Sequence, residues 1–152
     1  MKIEIPKSLT KEHEELHETL VRATKEPGPT GEAAREVARL LHPHFVKEEE
    51  FALPPLGLLT KLAHGGVSGD MAEVLPMTRR LKQEFATMLA EHEQIVGALE
   101  KLRAAAKQAG QADYDRFADV LTLHAQNEEQ VLYPAALLVG EFVALKLGQA
   151  RG

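Results

Sequence analysis

Two stretches of this chain, HFVKEEEFALP at 44–54 and HAQNEEQVLYP at 124–134, decide its fold. Both have the form H-x-x-x-E-E-x-x-x-x-P, and they lie 80 residues apart. Upstream of each, Glu12-His13-Glu14 and Glu91-His92-Glu93 repeat in the same order at an offset of 79. The chain therefore reads as a duplicated helical hairpin, with halves at about 9–63 and 88–147 inside a single domain over 1–152.

Working outward, apolar residues surround these motifs at alternating steps of four and three, the spacing of a bundle seam. In the third segment the series is Leu81, Phe85, Met88, His92, Ile95, Leu99 and Leu102. The fourth gives Phe117, Leu121, His124, Glu128 and Val131; the second gives Val37, Leu41, His44, Glu48 and Phe51; the first gives Leu9, His13, Leu16 and Leu20. Helical periodicity covers roughly 9–26, 31–53, 78–109 and 112–133, separated by turn-forming clusters at 27–30, 64–70 and 108–111. Thr30 and Asp70 are expected to cap helices, and Pro43 to kink the second. Pro54-Pro55 should end the second helix and Pro134 the fourth, each followed by a short extra helix at about 56–63 and 136–147. Short connections favour antiparallel neighbours, so the expectation is all-α: an up-down-up-down antiparallel four-helix bundle.

Composition narrows the function. With 152 residues and 44% apolar content the chain can build one core. Its net charge of −5 argues against nucleic acid, and Arg79-Arg80-Lys82, the densest basic group, reads as a solvated helix face. No cysteine is present, which excludes disulfides, thiol catalysis and cysteine-held metals. Met1 to Pro6 has no signal-peptide core, and the greasiest run, Val131 to Leu147, is interrupted by Pro134, Glu141 and Lys146. A cytoplasmic protein with no membrane partner is the expectation.

In every helix a histidine sits where the seam asks for an apolar side chain, and in two helices a glutamate does so as well. Burying an ionised carboxylate without a partner costs several kcal/mol, and the seam offers neither Glu48 nor Glu128 a lysine or arginine. Four histidines and two glutamates converging from four helices call for a shared positive charge, which a pair of metal ions supplies. Residues four apart lie on one helix face, so His44 with Glu48 and His124 with Glu128 can serve neighbouring ions, the glutamates bridging and His13 and His92 completing the set. Nitrogen and oxygen donors without sulfur suit iron, manganese or zinc alike.

The arrangement H … H-x-x-x-E … H … H-x-x-x-E resembles the hemerythrin-like HHE cation-binding family over about 9–140, and is similar above all to the bacterial iron-centre repair type. Val96 stands four residues after His92, where the oxygen-carrying hemerythrins place a second histidine. The resemblance implies a four-helix bundle with two non-haem iron ions, oxo- or hydroxo-bridged when oxidised. It implies His13, His44, Glu48, His92, His124 and Glu128 as ligands, and dioxygen, nitric oxide or peroxide as the small-molecule partner. It leaves open a binding module for sensing, storage or stress response and an oxidoreductase that reduces peroxide or nitric oxide.

A rival enzyme reading is a zinc metallohydrolase built on His13-Glu14-Glu15-Leu16-His17, an H-E-x-x-H sequence. The duplication accounts for its first two residues and leaves His17 as a boundary histidine, a seventh ligand or a partner of a ligand residue. His42 and His64 are expected in solvent, and Tyr133 in a half-buried packing role, with a hydroxyl offered near the bundle mouth as the alternative. Glu49 and Glu129 lie about 100° around the helix from the ligand positions, as caps, solvated groups or partners of a ligand histidine.

Overall fold

The structure, a computed structural model, describes residues 1–148, which are all-helical and contain no strand. Helix α1 spans Lys7–Thr24, α2 Gly28–Lys47, α3 Leu59–Ala63, α4 Val74–Gln108, α5 Ala112–Asn127 and α6 Tyr133–Leu147. The long helices pack on one another, α2 against both α1 and α4, and α5 against α4 and α1, consistent with a four-helix bundle.

The two motifs that repeat in sequence also repeat in backbone. Glu48–Ala52 and Glu128–Leu132 are π-helical turns, each opening on a seam glutamate. The N–H of Leu53 donates to the carbonyl of Glu48 at 2.9 Å, and Tyr133 does the same to Glu128, in both cases five residues back. Such widened turns admit one extra residue into a helix and gather at functional sites.

Beyond the turns the copies diverge. After Ala52 the chain passes through a 3₁₀ segment, Pro54–Leu58, into α3. After Leu132 it stays helical, so Pro134 begins a new stretch, where its missing N–H costs nothing, instead of ending the helix. The expected stop at Pro134 is thereby corrected. Ala112–Leu147 is long and apolar enough to cross a membrane by length and composition, although its inner face carries the buried His124 and Glu128. Likewise α2 runs through Pro43 to Lys47 without ending.

Neither expected cap forms. Thr30 lies inside α2, buried, and its hydroxyl donates to Gln111 Oε1 at 2.6 Å. Gln111 and Tyr114 in turn donate to Glu26, so the turn between α1 and α2 is tied to the turn between α4 and α5. Asp70 accepts from the Ser68 hydroxyl and faces the N-terminal ammonium at 3.6 Å. At Gly140, α6 comes so close to α4 that a Cβ would stand 2.7 Å from that of Thr78.

The core falls into layers. One cluster joins Leu16, Leu41, Phe45, Ile95, Leu99 and Leu121; a second joins Phe51, Leu53, Leu81, Met88, Tyr133 and Ala136. On each long helix the seam histidine lies between residues of the two clusters: His44 between Leu41 and Phe51, His92 between Met88 and Ile95. A layer of polar side chains is therefore sealed between two apolar ones.

Candidate metal centre

The six seam residues meet in that layer. Glu48 is fully buried, Glu128 and His44 are 1% exposed, and His92, His13 and His124 are 3%, 4% and 6% exposed. Their inward atoms form two groups, each with all donors within 4.8 Å of one another: His44, Glu48, His92 and Glu128, and then His13, His124 and Glu128. Each group takes one histidine from each half of the repeat. Glu128 joins them, with Oε1 3.2 Å from His92 Nε2 and Oε2 3.2 Å from His124 Nε2. Glu48 Oε1 lies 3.5 Å from His44 Nε2 and 3.9 Å from His13 Nε2.

These groups are close but do not satisfy one another. His13 Nε2, His124 Nε2, Glu48 Oε1 and Glu128 Oε2 are buried without a hydrogen-bond partner. A buried polar atom in that condition costs about 1–3 kcal/mol, and more when charged. Four of them pointing at a common centre fit a cation, which accepts nitrogen and carboxylate lone pairs together.

On the outside, every histidine is held by a carboxylate. His44 Nδ1 donates to Glu91 at 2.9 Å, His92 Nδ1 to Glu129 at 2.9 Å, His13 Nδ1 to Glu49 at 3.5 Å, and His124 Nδ1 to Glu12. The proton is thus fixed on Nδ1, leaving the Nε2 lone pair for the interior, which is how ligand histidines are oriented and made more basic. The pattern obeys the duplication: Glu12 and Glu91 reach the second histidine of the opposite half, Glu49 and Glu129 the first histidine of their own.

The family model for the hemerythrin HHE cation binding domain matches residues 4–136. The chain belongs to the hemerythrin HHE family. No curated protein and no solved structure matches it.

In this HHE domain the electrostatics follow from burial. Burial, then the facing Glu128 carboxylate, push Glu48 well above the usual carboxylate range. Burial acts upward on Glu128 too, but the Glu48 carboxyl and the imidazoles of His124, His13 and His92 around it hold it well below. Burial pulls His44 down; it opposes but does not prevent a rise at His92, beside Glu128 and Glu129, and at His124, beside Glu128 and Glu12. Around Glu91 the charges run outward to the surface, with Lys47 at 2.9 Å and then Glu84 at 3.3 Å from Lys47.

Of its two open roles, Tyr133 takes the hydroxyl contact and not the half-buried packing position. It is fully buried, and its hydroxyl donates to Glu48 Oε2 at 2.8 Å while lying 3.2 Å from His44 Nε2 and 3.3 Å from His92 Nε2. Burial and the Glu48 carboxylate push its phenol far up, so without metal it is a neutral donor. The sequence held one signal for it: Tyr133 stands where the first copy has Leu53, just before the repeated proline.

The remaining candidates lie outside. His17 is exposed and belongs to neither donor group, so H-E-x-x-H contributes only His13. His17 lines a surface groove of about 400 Å³ with Ile5, Thr10, His42 and Phe45, whose floor reaches His13. His42 and His64 face solvent as expected. Val131, expected in the seam, is 53% exposed, because it lies within the π turn Glu128–Leu132, where the helix phase slips. Phe45 stacks on His13 with centroids 3.9 Å apart and the rings 6° from parallel, closing that histidine's flank.

Proposed function

We propose that this HHE domain is a non-haem di-iron protein that takes up iron and a small ligand, dioxygen, nitric oxide or peroxide, in sensing, storage or stress response. The ligands are His13, His44, Glu48, His92, His124 and Glu128, with Glu48 and Glu128 between the two ions. The observation that carries the reading is the pair of buried donor groups sharing Glu128, with four inward atoms left unpartnered. The nitrogen and carboxylate donors admit iron, as they do manganese or zinc, and the family is one of cation-binding domains. Bound iron would supply electrons and open coordination positions for the small ligand. The chain's own residues orient and insulate: Glu12, Glu49, Glu91 and Glu129 fix each imidazole, and the apolar layers exclude water.

The same proposal includes an up-down-up-down antiparallel bundle made of two hairpins. It is supported by the order of the layers: α1 and α4 run from the second apolar cluster toward the first, whereas α2 and α5 run from the first toward the second.

Reactivity tests the function. The protein is loaded with ferrous iron without oxygen, then mixed with dioxygen, nitric oxide or peroxide, with and without a reductant. One oxidation event per site, with no catalytic turnover, is the expected result for a binding module. Sustained consumption of peroxide or nitric oxide would make the protein an oxidoreductase instead. Iron that ignores all three molecules would overturn both.

A further inference from the structure

We infer that Tyr133 is a seventh metal ligand, its phenolate oxygen binding the ion held by His44, His92 and Glu48 and making the two ions chemically unlike. This rests on the di-iron reading above and adds to it a residue outside the H … H-x-x-x-E pattern.

The argument is first geometric. For metal–donor bonds of about 2.1 Å, two donors at right angles on one ion stand about 3 Å apart. Tyr133 Oη lies 2.8 Å from Glu48 Oε2, 3.2 Å from His44 Nε2 and 3.3 Å from His92 Nε2. Three separations of that size, to three atoms that all face one centre, are those of a fourth donor on the same ion. A hydroxyl serving only to satisfy Glu48 would need one of them. Tyrosine oxygen is an iron ligand in other settings, so the chemistry is ordinary.

The backbone explains how the residue arrives there. Five residues past Glu128, a regular helix would turn Tyr133 about 140° away from that glutamate's face. The π turn absorbs one residue and returns it to the site, and Pro134 follows at once. The first copy makes the same turn and presents Leu53, which has no donor atom. The ring itself is locked, stacked 19° from parallel with His92 at 5.7 Å and set edge-on to Phe85.

The consequence is asymmetry. With Glu48 and Glu128 shared, the His44–His92 side then has donors from five side chains, the His13–His124 side from four. The open position for a small ligand lies on the second side, where the surface groove reaches His13. As ferric iron binds the phenolate, the phenol proton is displaced and released to solvent, as expected when a metal takes a protonated ligand.

The test is the spectrum of the iron-loaded, oxidised protein. The expected result is a visible charge-transfer band whose resonance Raman spectrum shows enhanced phenolate ring modes. Tyr133→Phe should abolish both while retaining at least three-quarters of the iron. Full iron loading in the wild type without phenolate modes, or modes that persist in Tyr133→Phe, would overturn the assignment and leave the di-iron reading standing. Failure of the wild type to hold iron would overturn both. The wild-type spectrum decides the matter even if the variant does not fold.

Discussion

Replacing Glu48 by leucine separates what the buried carboxylate does for the fold from what it does for a metal. Glu48 is fully buried, one oxygen has no partner, and the other accepts from Tyr133 at 2.8 Å. Leucine has similar volume and fills the space between the two apolar layers. A buried carboxyl oxygen without a partner costs about 1–3 kcal/mol, which exchange for an apolar side chain of like volume removes. The loss of the Tyr133 acceptor offsets about 1 kcal/mol of this, since the hydroxyl still has His44 and His92 to donate to. Metal-free Glu48→Leu should therefore be more stable than metal-free wild type by up to about 2 kcal/mol, a rise in Tm of up to about 8 °C for a domain of this size. Iron reverses the order. A ligand at a thousand times its Kd stabilises the native state by about 4 kcal/mol, and only the wild type can collect it. Calorimetric melts of both proteins, with a chelator and with anaerobic ferrous iron, read all four states. The reasoning fails if Glu48→Leu lowers the metal-free Tm by several degrees, or if iron raises the Tm of both proteins equally.

Two further substitutions probe the outer and apolar layers. Glu91→Gln weakens the hold on His44 Nδ1 and removes the charge facing Lys47; iron affinity, measured by competition with a chelator, should fall about 10–100-fold with the helix content unchanged. Leu99→Ala empties a fully buried position in the apolar layer beyond the centre and should cost about 2–5 kcal/mol in urea unfolding, while iron stoichiometry per folded chain stays as in the wild type.

The seam and its six polar intruders were legible because a helix of 3.6 residues per turn converts spacing into a face. A buried glutamate without a counter-charge is conspicuous for the same reason. The outer carboxylates were harder to read. Glu12 and Glu91 each precede a seam histidine, yet serve a histidine on a different helix, which no single helix periodicity reveals. Their repetition in both halves was the available signal. Val131 leaves the seam because regular periodicity does not hold through 128–132, where the backbone is π-helical and the phase slips, and the same turn carries Tyr133 to the site. Pro134 was read as a stop because proline breaks a helix interior, but after a π turn it stands at the start of a helical stretch. Thr30 was read as a cap from residue type alone; its partner, Gln111, is 81 positions away.

The central claim is met most directly by elemental analysis of the purified protein alongside its absorption spectrum before and after reduction and re-exposure to air. The account predicts about two irons per chain, with charge-transfer bands that bleach on reduction and return in air. A protein that holds no metal after anaerobic loading with ferrous iron, or that holds a single zinc and shows no chromophore, would contradict it.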